Sequence, residues 1–171
     1  MFTNNQIDLS SIPKLEVVNL KPISKQYLKI IILNELLVYA VMIGVLLMAK
    51  WFINKEVIQQ GFWYILSIFL VFVLFNFSIT LLAFKTRKYA LRSHDVIYAQ
   101  GLIVNSVTTV PLSRIQHVEE SRGWLARKLN LSTLNIYTAG ESGSDLSIKG
   151  LPHSEAKKIN DFISAKVNGN D

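Results

Sequence analysis

Two apolar runs constrain this chain more than any other feature. "IIILNELLVYAVMIGVLLMA" (Ile30–Ala49) is 20 residues with a single charge, and "GFWYILSIFLVFVLFNFSITLLAF" (Gly61–Phe84) is 24 residues with none. About 20 apolar residues, each rising about 1.5 Å, cross a hydrocarbon core about 30 Å thick. A helix buried in a soluble bundle would keep a polar face, and neither run has one. The first run is longer than the apolar part of a secretory signal, and no small-x-small cleavage site follows it. The expectation is a transmembrane helical hairpin over 30–84, with helices at about 30–49 and 61–84. The connector, Lys50–Gln60, has 11 residues, too few for a domain, so the helices run antiparallel.

Residues 1–29 read as a polar N-terminal arm, interrupted by Pro13 and Pro22, and 85–171 as the only part able to bury a soluble core. Basic flanks give the orientation. Lys14, Lys21, Lys25 and Lys29 precede the first helix, and Lys85, Arg87, Lys88 and Arg92 follow the second. The connector carries Lys50, Lys55 and Glu56. Both termini are therefore expected on the cytoplasmic side of the membrane, in a multi-pass protein. Trp51, Phe52, Trp63 and Tyr64 gather near the outer face, where amphipathic rings favour the headgroup level. Asn34 and Glu35 interrupt the first helix, about 8 Å from its cytoplasmic end. They are expected to make a polar contact between helices or protomers, with a transport path as the weaker reading. Asn76 and Ser78 suit the same kind of contact.

After Phe84 the period changes to short alternating segments, the signal for strands. Strands are expected near 86–92, 95–100, 102–110 and 113–119, then at "STLNIYTA" and "SDLSIKG". A tight turn at Gln100–Gly101 separates the second from the third, and Pro111 ends the third because it has no amide hydrogen. "RGWLARKLNLS" (Arg122–Ser132) has helical spacing, as does the segment after Pro152, where Ala156, Ile159, Phe162 and Ile163 share a face. The module is six short strands, mostly antiparallel, with a small inserted helix and a terminal helix that plugs the sheet.

"RKYAL", "YAQGLI", "TTVPLSRIQHVEESRGWLARKLNLSTLNIYTAG" and "SDLSIKGL" resemble the bacterial pleckstrin-homology-like (PH-like) family, in the branch of YdbS-type membrane proteins formerly grouped as DUF304. The resemblance covers roughly 85–165. It implies paired transmembrane helices followed by a cytoplasmic, mainly-β PH-like split barrel of about seven strands with a C-terminal capping helix. The seventh strand is expected around Glu119–Arg122. The resemblance carries no catalytic residues onto this chain.

The chemical readings are sparse. "TAGESGSDLSIKG" (Thr138–Gly150) is rich in glycine, serine and carboxylates, but Gly143 directly follows Ser142, which defeats a nucleophile elbow. It does not meet the G-x-x-x-x-G-K-S/T pattern of a P-loop or the alternating ligands and closing Glu of a calcium loop, so a hairpin turn is expected. His94, His117 and His153 are the only histidines and none is spaced as a zinc pair; cysteine is absent. No metal and no cofactor is expected. His117 is expected to pair with Glu119 on its strand face, and Arg114 to anchor its loop or meet a partner.

The module holds 12 Lys/Arg against 8 Asp/Glu, a mild excess. Lys85, Arg87, Lys88, Arg92, Arg122, Arg127 and Lys128 suit general contact with an anionic lipid surface, rather than a dedicated headgroup pocket. Trp124 is expected to plug the core beneath its short helix, or else to anchor a membrane or partner. The charges are dispersed and no reading helix appears, so no nucleic acid is expected as a partner. The reading is a non-catalytic, membrane-anchored interaction or assembly platform contacting membrane proteins, itself or lipid. An accessory subunit of a transport complex and an enzyme of unrecognised type are the alternatives.

Overall fold

A computed structural model of the protein describes residues 18–52, 56–139, 146–167 and 169. Two long helices come first, α1 (Tyr27–Phe52) and α2 (Glu56–Thr86). Both are long and apolar enough to cross a membrane, with mean hydropathies of 2.5 and 2.6 over their best windows. They start and end further out than the apolar runs, because helix propensity and local hydrogen bonds carry each helix past its apolar part. Large apolar side chains such as Leu37, Val45, Ile68 and Phe75 point away from the protein, as lipid-facing positions do.

Polar groups join the two helices. The Tyr39 hydroxyl donates to Asn76 Oδ1 at 2.9 Å, and Thr80 Oγ1 donates to Glu35 Oε1 at 2.5 Å. Bonds of this kind contribute about 0.6–2 kcal/mol each between membrane helices. Ser78 bonds instead to the Leu74 carbonyl of its own helix, at 2.8 Å. At the far end Lys50 lies over the Phe62 and Trp63 rings, 4.4 and 5.0 Å from their centroids. Trp51, Phe52, Trp63 and Tyr64 are all exposed there.

The remaining elements build two antiparallel sheets. One has the order β1 (Lys21–Pro22), β2 (Lys88–Leu91), β3 (Asp95–Gln100) and β4 (Ser106–Pro111). A 3-10 turn (Leu112–Arg114) leads to the second, made of β5 (Ile115–Ser121), β6 (Leu131–Thr138) and β7 (Leu146–Pro152). A five-residue helix, α3 (Trp124–Lys128), sits between β5 and β6, and α4 (His153–Val167) closes the domain. Alternation selects the core: Leu134 and Ile136 of β6 and Ile148 of β7 are fully buried, against Ala156, Ile159 and Ile163 of α4. Each such Leu or Ile contributes about 1.5–3 kcal/mol. Phe162 falls at the edge of that helix face and stays exposed. The architecture is a transmembrane hairpin followed by a mainly-β PH-like split barrel with a C-terminal capping helix.

Three expectations change. The seventh strand is not at Glu119–Arg122, where Glu119–Ser121 finish β5; it is Lys21–Pro22, paired with Lys88 and Tyr89. Residues 21–27 consequently belong to the β-domain rather than to a separate arm: Ile23 is in its core, and Lys21 Nζ bonds Glu155 of α4 at 2.6 Å. The strand expected near 102–110 begins only at Ser106, because Gly101, at φ +111, opens a loop through Asn105. Residues 140–145 of the expected hairpin turn lie outside the described residues, but β6 and β7 on either side pair antiparallel.

The foot of α1 rests on Gly150. The Ser24 amide donates to the Gly150 carbonyl at 2.9 Å, and a Cβ at Gly150 would meet the Tyr27 ring at 2.5–2.8 Å. Gly150 also has φ +80, which favours glycine. Gly150→Ala should therefore cost about 2–4 kcal/mol through backbone strain and overpacking. The measurement is the unfolding midpoint of the full chain in detergent. Gly44→Ala, with nothing within 4 Å of the new Cβ, should leave that midpoint nearly unchanged.

Candidate functional site

The structure sorts the basic residues into different environments. Lys85 and Lys88 are exposed around the end of α2, and Arg87 between them is half-buried. Arg92 is taken by Asp95, with Nε 2.6 Å from Oδ1 and a second ion-pair contact from Nη2 to Oδ2. Arg122 is also engaged within the fold. Its Nε donates to the Leu131 carbonyl at 3.1 Å and its Nη2 reaches Asn130 Oδ1 at 3.4 Å. It braces Asn130, whose φ of 53° lies in the left-handed region. Arg127 and Lys128 remain exposed on α3, which packs beside α1.

Trp124 is not a core plug. It is 62% exposed, with Lys128 Nζ 4.4 Å from its ring centroid. A helix of five residues makes barely more than one turn and buries none of them, so its first side chain stays outside. Arg114 is exposed, and among the described residues its side chain has no partner, so it does not anchor its loop; only its carbonyl is used, by the Ala139 amide at 3.3 Å. His117 stacks on its cross-strand neighbour Tyr137, with centroids 4.1 Å apart, and it is the Tyr137 hydroxyl that donates to Glu119 Oε2, at 2.9 Å. A register shift between Ile115 and His117 brings ring against ring, which spacing along one strand does not reveal.

The structure also forms a cavity of about 490 Å³ where the hairpin meets the sheets. Tyr27, Asn34 and Glu35 of α1 line one side, and Arg87, Tyr98 and Lys149 the other. Arg87 arrives there because it directly follows α2, and Lys149 because it precedes Gly150 under Tyr27. Burial pushes the Tyr98 phenol up, and the Arg87 charge beside it opposes that rise. Among the described residues no carboxylate lies within ion-pair distance of Arg87 or Lys149. Glu35 gives one oxygen to Thr80, and its Oε2 is buried with no hydrogen-bond partner among the described residues. Lys149 was missed in the sequence because it stands alone in an alternating strand.

A second polar cluster joins Glu120, Ser132 and His153. Ser132, only 1% exposed, donates to Glu120 Oε1, which lies 2.6 Å from His153 Nδ1. Serine and histidine share one carboxylate oxygen, and the hydroxyl is closed off from solvent, so the arrangement does not present a nucleophile. It satisfies polar groups beside the register shift between β6 and β7, where Gly150 of β7 is the extra residue opposite Ser132 and Thr133 and where Leu131 and Ser132 are both buried.

The family model described as "Bacterial PH domain" matches residues 28–167. The chain belongs to that family. It is similar to the UPF0699 transmembrane protein YdbS of Bacillus subtilis (strain 168), 36% identical over 89 residues. That stretch is 51% of this chain and 54% of the relative, so the chain spans about half the length of the curated relative it matches. No solved structure matches. This bacterial PH domain protein is a membrane protein, and its PH-like domain is the one described above.

The Glu120 cluster has a pH signature. Burial opposes ionisation of Glu120, but hydrogen bonds from Ser132 and His153 outweigh it and hold the carboxyl below its ordinary value of 4.5. The unfolded chain then binds that proton more readily than the folded one, so the contribution is full above the ordinary value and is lost as pH falls through the lowered folded value. Glu120→Gln should lower the unfolding midpoint at pH 7, and the gap from wild type should close as the pH falls below about 4. Unfolding curves at pH 7, 5 and 3.5 check this.

Proposed function

We propose that this protein is a non-catalytic, membrane-anchored interaction or assembly platform, whose hairpin engages another membrane protein or a second copy of itself. The observation that carries the reading is a groove of about 410 Å³ along the side of the hairpin, where Asn34, Glu35, Tyr39 and Asn76 stand among Val38, Met42 and Phe72. Asn34 is exposed, at the border of this groove and in an apolar helix long enough to cross a membrane. An amide in hydrocarbon is costly without a partner, and polar residues on membrane helices commonly find one on a neighbouring helix.

The orientation follows from charge. Lys21, Lys25, Lys29, Lys85, Arg87 and Lys88 cluster at the end of the hairpin that carries the β-domain. The pairing of β1 with β2 puts the entry to α1 and the exit from α2 on that same side. The positive-inside bias then favours a multi-pass protein of a bacterial cytoplasmic membrane, with both termini in the cytoplasm. The exposed Trp124, Arg127 and Lys128 beside α1 suit contact with the anionic surface there.

The chain contains no cysteine, so single cysteines report contacts cleanly. Asn34→Cys and Val38→Cys should each give a discrete adduct on oxidative or bifunctional crosslinking in native membranes. An adduct at twice the monomer mass marks a second copy, and a heavier one a different membrane protein. Ile68→Cys, exposed on α2 outside the groove, should give several-fold less. Equal labelling at all three positions, or none, defeats the platform reading.

A further inference from the structure

We infer that the cavity between the hairpin and the sheets is a phospholipid-headgroup site. Arg87 and Lys149 hold the phosphate, and Glu35 accepts a hydrogen bond from a hydroxyl or ammonium group on the same headgroup. The site shares Asn34 and Glu35 with the groove of the platform reading but needs no protein partner.

Its two cations are not neutralised by the fold, although Arg87 lies within hydrogen-bond reach of the Tyr27 hydroxyl. Arg87 and Lys149 border one cavity, with no carboxylate at ion-pair distance among the described residues. A half-buried guanidinium presents a fork that matches phosphate oxygens, and a lysine beside it adds a point charge. Thr108 and Ser147 border the same wall, the Ser147 hydroxyl donating to Asn135 Oδ1 at 2.8 Å. Across from them, Glu35 Oε2 is buried and has no partner among the described residues, which is uncommon for a carboxylate oxygen and suits a donor on a ligand. The volume of about 490 Å³ suits a headgroup.

The position selects lipid as the source of the phosphate. Ile31, Asn34 and Glu35 belong to the apolar helix α1, while Arg87 follows the last residue of α2. Thr80 is level with Glu35, and the seven residues from there to Arg87 span about 10 Å of helix. The cavity therefore runs from inside the apolar span to its foot, the depth at which headgroups lie. Gln100, which lines it, leads into the β3–β4 loop, whose Ile103 and Val104 are 87% and 77% exposed. An exposed apolar tip three residues beyond a residue of the cavity wall suits acyl chains and has no use for a soluble phosphate.

The test uses the full chain in bilayer nanodiscs containing phosphatidylglycerol, phosphatidylethanolamine and phosphatidylcholine, with retained lipid read by native mass spectrometry. Glycerol and ethanolamine headgroups carry O–H or N–H donors, whereas choline carries none. The first two should be retained over the third. Arg87→Gln with Lys149→Gln should lower retention roughly tenfold. Glu35→Gln should reduce the preference over choline while leaving total retention largely intact. Lys85→Gln with Lys88→Gln removes the same charge outside the cavity and should change little. Equal loss from that pair would assign the effect to diffuse surface charge and overturn the site. Inorganic phosphate that binds the delipidated protein and displaces lipid would overturn the lipid assignment in favour of a soluble phosphate. Unfolding midpoints accompany each variant; should the double variant not fold, the exposed Lys149→Gln alone should lose retention several-fold, and unchanged retention there overturns the proposal.

Discussion

The pairing of Lys21 and Pro22 with Tyr89 and Lys88 is the constraint on which the rest of the structure depends. Two residues of strand join the segment entering α1 to the segment leaving α2, so the hairpin is closed at its base by the sheet it carries. Antiparallel helices of similar length are needed for both ends to meet there. Ile23 in the domain core, the Lys21–Glu155 ion pair and Tyr27 against Gly150 reinforce the same joint. The exposed ion pair by itself adds little; burial of Ile23 and the close ring contact supply most of the hold.

That joint also makes the cavity. Because α1 is tied down through Ser24 and Tyr27, its next two turns stand over the sheet instead of leaving it freely. Asn34 and Glu35 therefore come to border the same space as Arg87, Tyr98 and Lys149. A looser tether would leave the same residues on unrelated surfaces. The membrane anchor and the β-domain thus share one site, where the chemistry of the lipid-facing helix meets that of the strand faces.

Much of the fold was legible in the residues. Twenty or more apolar positions without a polar face have few folded outcomes, and "STLNIYTA" and "SDLSIKG" alternate so that Leu134, Ile136 and Ile148 had to share a buried face. The candidate site was legible only in part. Arg87 stood out as one of a basic cluster, and Glu35 as an intrusion in an apolar run, but nothing linked them. Arg92 and Arg122 looked equivalent to Arg87, yet Asp95 and the Leu131 carbonyl occupy them. Lys149 had no local mark, and Trp124 stays outside because its helix is too short to bury it.

The sequence by itself determined the two spans, their antiparallel course, the period-two strands and the apolar face of α4, since each is written as a local repeat that burial must respect. The tertiary structure alone decided that Lys21–Pro22 is a strand, that Ser132, Glu120 and His153 converge, and that a carboxylate, a guanidinium and an ammonium line one cavity. A two-residue strand is too short to show a period. Residues far apart in the chain meet through sheet register and the angle of the hairpin on its domain, and no local pattern records either.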